Sequence, residues 1–204
     1  FSAGDGAPFV KKLRAQVSGH ALCIIEAGDS HEDLTADYAA ITNEMRSVAS
    51  FFGKEVLSQV PKEDFLRRIP ALRAACGDRA VLRAGHFYED NLRAIKQAQA
   101  LERGDTEGFL KLVRESGASS FMYLQNVYVP INALEQPVSV ALMLCGELLG
   151  GRGAFRVHGG GFAGTVEAFV PTDMLEDFKE KMQAILGEGS VHELFIRQEG
   201  AVRL

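Results

Sequence analysis

Residues 152–196 read RGAFRVHGGGFAGTVEAFVPTDMLEDFKEKMQAILGEGSVHELFI, and this stretch decides the fold class. Two short apolar segments, Arg152–Val157 and Thr165–Val170, predict strands on either side of a glycine-rich loop. The next residues predict a helix capped at Thr172–Asp173, with an apolar stripe along one side. Val191–Ile196 then predicts a last strand. The order of elements is therefore strand, glycine loop, strand, helix and strand.

The sequence upstream of this stretch predicts one strand followed by helices. Ala21–Ala27 is a short apolar run closed by Gly28, which is typical of a buried strand. Apolar residues at helical spacing, together with helix-capping and helix-ending residues, predict five helices. These lie at Thr35–Phe52 with Thr35 as N-cap, Glu63–Ile69 before Pro70, Arg79–Arg103, Thr106–Ser116 and Pro137–Leu149. All these elements together predict an α+β domain in which helices cover a small, mainly antiparallel sheet.

Length and composition restrict the class of protein. The 204 residues contain no repeat or long linker, which predicts a single domain, 1–204, with a loose N-terminal segment at 1–20. The formal net charge of −5, with basic and acidic residues interleaved, argues against a nucleic-acid partner or an anionic membrane surface. No apolar run is long enough to span a bilayer. The cysteines and histidines lack the spacing of metal ligands, so we expect no metal site and a reducing, cytoplasmic location.

The glycine loop is the most unusual part of the sequence. Three consecutive glycines between two strands indicate a backbone that bends sharply or that another group approaches closely. Backbone N–H groups in such a loop can form a nest for an anion such as phosphate. A tight hairpin explains the same glycines, and spacing alone leaves both interpretations open. The loop contributes six candidate site residues: His158, Gly159, Gly160, Gly161, Phe162 and Gly164.

Three parts of the sequence resemble galactokinases, which are sugar kinases of the GHMP superfamily. GAFRVHGGGFAG at 153–164 resembles the third conserved motif of that family. Ser30–Tyr38 resembles the segment that carries a sugar-contacting tyrosine, and Arg83–Asn91 resembles another conserved stretch. The likeness covers nearly the whole chain in the family's order. Three residues depart from the usual form of this third motif. His158 stands in place of a threonine, Ala163 in place of a glycine and Thr165 in place of a cysteine.

The resemblance implies the C-terminal domain type of the GHMP kinases, with a ferredoxin-like core. It also implies transfer of a phosphoryl group from ATP, with Mg²⁺, to the anomeric hydroxyl of a galactose-type sugar. Tyr38 would contact the sugar, and residues 158–164 would line a cleft. The catalytic aspartate, a sugar-binding motif and the serine-rich ATP loop of the family are expected upstream of Phe1, on an N-terminal lobe that binds most of the nucleotide. We therefore expect no catalytic residue in this chain and no activity from it alone.

Several alternatives stay open. By its position on the apolar stripe of a helix, Tyr38 is better interpreted as a core residue, and only the resemblance favours contact with a sugar. His158 is suited either to bonding a substrate oxygen or phosphate, or to bonding nearby backbone. At the level of function, the alternatives are a kinase for another sugar, a non-catalytic sugar or nucleotide sensor, and an interaction module.

Overall fold

Four antiparallel strands form the sheet of the domain in the computed structural model, which describes residues 17–28, 34–162 and 164–196. The strands are β1 (His20–Glu26), β2 (Ala154–Val157), β3 (Thr165–Pro171) and β4 (Val191–Leu194). They lie in the order β2-β3-β1-β4, and every neighbouring pair is antiparallel. Helices connect β1 to β2 and β3 to β4, which is the ferredoxin-like arrangement. The predicted α+β class with a small antiparallel sheet is confirmed.

Seven helices surround the sheet in the described part of the chain, and six of them lie between β1 and β2. They are α1 (Thr35–Phe51), α2 (Lys62–Arg67), α3 (Ile69–Cys76), α4 (Asp78–Arg103), α5 (Thr106–Ser119), α6 (Pro137–Leu149) and α7 (Leu175–Leu186). A π-helical turn, Ser120–Leu124, continues α5, and short 3-10 turns occupy Leu57–Gln59, Pro130–Asn132 and Thr172–Met174.

The alternation of side chains along β1 explains why helices cover both faces of the sheet. Cys23 and Ile25 point to one face, where they are buried with residues of α6 and α7. Leu22 points to the other face and packs in a cluster with Phe169 and with residues of α4 and α5. The rings of Phe109 on α5 and Phe169 on β3 meet edge to face, with centroids 5.2 Å apart. The sheet is therefore the middle of three layers.

A second apolar core contains no strand residue. It is formed by α1 to α4 and the turn after α1. Its buried members are Val48, Ala49, Leu57, Val60, Phe65, Leu72, Ala80, Val81 and Ala84. Helices α1 to α4 thus bury an apolar core of their own, separate from the two cores that contain strand residues.

Two predicted helix caps and one predicted helix end are wrong. Leu34, not Thr35, occupies the N-cap of α1, and Thr35 is the first helical residue. The segment Thr172–Asp173 forms a 3-10 turn without a side-chain cap, and α7 begins at Leu175. The helix predicted at Glu63–Ile69 ends at Arg67, and Pro70 lies in the first turn of a further helix, α3, where the missing N–H of proline costs no hydrogen bond.

Element boundaries otherwise move by a few residues. β2 begins at Ala154, β4 ends at Leu194 and α5 continues to Ser119. Within the predicted loose segment, residues 1–16 lie outside the described residues, and β1 already starts at His20.

The apolar side predicted for α4, on which Val81, Leu92 and Ile95 recur at helical spacing, is buried only in part. Leu92 and Ile95 are exposed, whereas the buried residues of this helix lie mostly between Ala80 and His86. A helix of 26 residues is about 39 Å long, which exceeds the thickness of the cores it crosses. Its middle portion therefore carries apolar residues that the described part of the domain does not cover.

Close packing of β2 against β3 requires glycine at position 153. An ideal Cβ on Gly153 would overlap the carbonyl oxygen of Phe169. We expect Gly153→Ala to lower the free energy of unfolding by about 1–3 kcal/mol, because the backbone of β3 has to shift. Gly85→Ala is the matched control: a Cβ there meets no atom within 4 Å, and alanine favours the helix by about 0.5–1 kcal/mol. Urea denaturation measures both changes, and equal stabilities would contradict the close approach.

Candidate functional site

The glycine loop connects β2 to β3 and contains an unusual backbone. Gly159 and Gly161 have φ angles of +61° and +81°, and Phe162, with a side chain, has φ +59°. The left-handed conformation is uncommon for a bulky residue and occurs where surrounding contacts impose it. Ala163 lies outside the described residues. The contacts that impose the loop conformation come from two distant segments of the chain.

The first contact comes from Tyr38 in the opening turns of α1. The Tyr38 hydroxyl donates a hydrogen bond of 2.7 Å to the carbonyl oxygen of Gly161. Its ring meets the Phe162 ring edge to face, with centroids 5.5 Å apart. An ideal Cβ on Gly160 would lie 2.6 Å from Cε1 of Tyr38, so only glycine permits this packing. The Tyr38 side chain, 40% exposed, therefore lies on the loop and also reaches solvent.

The second contact comes from Asn126, which the sequence patterns did not identify. The Phe162 N–H donates to the backbone carbonyl of Asn126 over 2.6 Å. The side-chain Nδ2 of Asn126 donates to the carbonyl of Gly160 over 3.1 Å. Asn126 is only 1% exposed, and its Oδ1 has no hydrogen-bond partner among the described residues. Asn126 therefore holds the loop through both its side-chain amide and its backbone carbonyl.

A buried ion pair holds both contacting segments. Arg83 on α4 is 1% exposed and donates from Nη1 to Glu44 Oε2 over 2.9 Å. Glu44 lies on α1, the helix that carries Tyr38. Nε of Arg83 donates to the carbonyl of Leu124 over 3.0 Å, two residues before Asn126. Burial lowers the pKa of Arg83 from its ordinary value, and the Glu44 carboxylate opposes that effect.

A polar cluster lies between β2 and the helices α4 and α5. Arg156 Nη1 donates to Ser116 Oγ over 2.7 Å, and that hydroxyl donates to Asp90 Oδ1 over 2.7 Å. Arg93 also donates to Asp90 Oδ1, over 2.8 Å. His86 is buried beside this cluster, with Nδ1 2.9 Å from Ser119 Oγ. The strand that enters the glycine loop is thereby fixed to two helices.

His158 lies at the exposed start of the loop. Its N–H donates to the carbonyl of Thr165 over 3.1 Å, and its Nδ1 lies 3.4 Å from Thr165 Oγ1. Nearby on β3, burial raises the pKa of the Glu167 carboxyl, and the positive charge of Arg156 opposes that effect. The structure thus gives His158 backbone and hydroxyl neighbours and leaves one edge of its ring open to solvent.

The structure brings Tyr38 together with Gly160, Gly161 and Phe162, and it leaves His158 and Gly159 exposed at the mouth of the loop. Asn126 was missed because it belongs to no periodic pattern and reaches the loop only through the tertiary fold. The one available signal was an uncharged amide inside the apolar segment LQNVYV at 124–129.

In the described part of the chain no group of three or more His, Cys, Asp or Glu residues could hold a metal ion. None of the helices described is long and apolar enough to cross a membrane.

Known proteins with related sequences are galactokinases, although no family model matches the chain. The galactokinase of Actinobacillus pleuropneumoniae is 27% identical over 161 residues, covering 79% of this chain and 40% of that protein. That of Glaesserella parasuis is 28% identical over 162 residues, with the same coverage of both chains. That of Haemophilus influenzae strain KW20 / Rd is 26% identical over 160 residues. The chain spans 40% of the length of these relatives.

A solved structure with the same fold is that of Lactococcus lactis galactokinase complexed with galactose. It superposes with a TM-score of 0.65 at 18% sequence identity, covering 88% of this chain and 46% of that one. The α+β domain with its ferredoxin-like sheet is therefore a fold found in sugar kinases. The resemblance to the C-terminal portion of galactokinases, first indicated by the sequence motifs, is confirmed.

The buried His86 makes stability depend on pH. Burial, assisted by Arg156 and Arg93 and opposed by Asp90, lowers the pKa of His86 below its ordinary 6.5. The unfolded chain then binds a proton that the folded chain excludes, so stability is complete above pH 6.5 and falls below it. We expect the loss to begin as the pH falls through about 6.5 and to approach at most about 1.4 kcal/mol per pH unit below it. Urea denaturation at a series of pH values should show a weaker dependence in His86→Gln, and a dependence equal to that of the unaltered protein would contradict this origin.

Packing of Tyr38 on Gly160 predicts an energetic coupling between the two residues. Gly160→Ala should cost about 1–3 kcal/mol of unfolding free energy, because the new methyl group displaces the Tyr38 ring. In a Tyr38→Ala background the same change should cost less, by about 0.5–3 kcal/mol. Gly146→Ala on α6 is the control: the new Cβ would lie 3.5 Å from the Phe155 ring, an ordinary contact, and its effect should add to that of Tyr38→Ala. Additivity of Gly160→Ala with Tyr38→Ala would show that the ring does not pack on the loop.

Proposed function

We propose that this chain forms the C-terminal part of a galactokinase-like sugar kinase, which transfers the γ-phosphate of ATP to the anomeric hydroxyl of galactose or a related sugar. The observation that carries the proposal is the glycine loop, whose sequence resembles a galactokinase motif and whose carbonyls at Gly160 and Gly161 are both bound by side chains. The galactokinase relatives support the same class of reaction.

Phosphoryl transfer depends on the positioning of the reactants and on charge stabilisation around the phosphate. A loop held from two sides suits that requirement, because it does not have to become ordered when the substrates bind. The Tyr38 hydroxyl donates its hydrogen bond to the Gly161 carbonyl. Its oxygen keeps lone pairs that can accept a hydrogen bond from a sugar hydroxyl. Tyr38 is the sugar-binding residue in this proposal, and the loop from His158 to Gly164 lines the cleft.

ATP and Mg²⁺ enter the proposal as substrates. The proposal assigns MgATP mainly to an N-terminal lobe with the catalytic aspartate, as the resemblance to galactokinases implies. This chain would then supply one wall of the active site and have no activity alone. The proposed location is the cytoplasm.

A kinase for another sugar is the second candidate. His158 replaces the usual threonine of the motif beside the loop, and its ring is larger and more polar. This substitution bears on which sugar is accepted and leaves the class of reaction unchanged. A non-catalytic sugar sensor would share the loop and Tyr38 but would bind sugar without turnover.

The central experiment is a kinase assay on this chain and on the protein recovered from its native source with an antibody against this chain. We expect ADP formation from MgATP with galactose, or with one sugar of a panel including glucose, galactosamine and arabinose, only when an N-terminal lobe is present. Sugar binding without ADP formation would favour the sensor. If the protein neither binds nor phosphorylates any sugar of the panel, the proposal is excluded.

Tyr38→Phe tests the proposed role of the hydroxyl. Loss of one net hydrogen bond should weaken sugar binding by about 0.5–1.5 kcal/mol, measured by calorimetry on the full-length protein. Tyr123→Phe is the matched control, since both tyrosines are 40% exposed. Unchanged sugar affinity together with a lower melting temperature would assign the Tyr38 hydroxyl to loop packing only.

A further inference from the structure

We infer that Asn126 is a positioning residue of the active site, which sets the orientation of the peptide groups in the glycine loop through its side-chain amide. This inference rests on the proposed function, because it assigns Asn126 to the loop that lines the proposed cleft. Asn126 does not contact the reacting groups itself and would act through Gly160, Gly161 and Phe162.

The geometry fixes two successive peptide planes. All described peptide bonds are trans, so the C=O and N–H of each peptide group point in opposite directions. The C=O of Gly160 is held by Asn126 Nδ2, which turns the N–H of Gly161 away from Asn126. In the next peptide, the C=O of Gly161 is held by Tyr38 and the N–H of Phe162 by the Asn126 carbonyl. Asn126 therefore takes part in both planes, from the side opposite Tyr38.

The contact between Asn126 and the loop leaves no spare room. An ideal Cβ on Gly161 would overlap the backbone oxygen of Asn126 and would lie 2.5 Å from its Nδ2. The loop backbone thus rests directly on the asparagine. A side chain without a donor would leave the Gly160 carbonyl unpaired, and a carboxylate would repel it.

The role of the amide is separable from the stability of the surrounding fold. The segment before Asn126 is held independently, through the bond from Arg83 to Leu124 and the left-handed Gln125, with φ +55°. The amide also leaves Oδ1 unpaired, a deficit that an apolar side chain would avoid. What asparagine contributes at this position is the Nδ2 donor to the loop.

Asn126→Asp tests the inference, because a protonated carboxyl donates a hydrogen bond and a carboxylate does not. In the full-length protein at about pH 8, we expect kcat to fall at least about tenfold, while KM for the sugar changes less than about threefold. Burial raises the pKa of such a carboxyl. As the pH falls to about 5.5, kcat relative to the unaltered protein at the same pH should recover. Asn126→Leu, isosteric but without a donor, should lose activity at every pH.

A second readout does not depend on catalysis. Hydrogen exchange of the peptide covering residues 158–164, expressed as a protection factor, should fall at least about tenfold in Asn126→Leu. In Asn126→Asp it should fall at about pH 8 and recover at about pH 5.5. Ser190→Ala is the control: Ser190 Oγ is the other buried side-chain atom without a partner in the described residues, so its removal should change neither readout.

The outcomes separate this inference from the proposed function. Protection that follows this pattern in a protein without kinase activity would support the role of Asn126 and refute the kinase. Kinase activity with unchanged kcat and protection in both Asn126 variants would refute the positioning role and leave the kinase. If neither variant folds, Asn126→Ser shortens the side chain beyond reach of Gly160, and wild-type protection in that variant would overturn the inference.

Discussion

The buried ion pair between Glu44 and Arg83 is the interaction on which the arrangement around the glycine loop depends. It joins α1, which carries Tyr38, to α4, whose Arg83 also holds the carbonyl of Leu124 just before Asn126. A buried charge left without its partner costs about 3–5 kcal/mol, so the two helices do not separate easily. A second arginine of α4, Arg79, also donates to Glu44, over 2.9 Å, so the helix that carries Tyr38 and the segment before Asn126 are both tied to α4.

The sheet and the helical layer, meaning here the helices α1 to α5 with the segment that follows α5, contribute different parts of the loop environment. The sheet supplies a hairpin, β2 to β3, whose connection is the glycine loop, and the helices between β1 and β2 supply the groups that hold it. Neither part alone determines the loop conformation, since the left-handed Phe162 needs contacts from both α1 and the segment after α5. The loop conformation is therefore a product of tertiary packing.

The sequence predicted strands and helices best where apolar residues recur clearly every two or every 3.6 residues. It identified all four strands and most helices, because burial of one face imposes such periods. It was wrong at Thr35 and Thr172, since a residue with good capping chemistry caps a helix only if the incoming backbone has the right direction. It overestimated burial on α4, because periodicity does not reveal where a long helix passes beyond its core.

The sequence predicted the glycine loop of the candidate site, but it did not predict which residues contact that loop. Consecutive glycines show that something lies close to the backbone, and in this structure it is the Tyr38 ring and Asn126. Which residues these are depends on contacts between segments far apart in the sequence. The resemblance to galactokinases singled out Tyr38, but none of the three stretches that carry the resemblance contains Asn126.

The position of the six described helices between β1 and β2 has a consequence for how the chain reaches its fold. β1 lies between β3 and β4 in the sheet, yet both partners are made only after all six helices. Contacts between distant segments form slowly, whereas the core of α1 to α4 is local in sequence and requires little loop closure. During synthesis the helical layer can therefore assemble first, and β1 has to remain unpaired until the hairpin with the glycine loop arrives. The glycine loop is thus among the last structures to form, on a helical layer that is already in place.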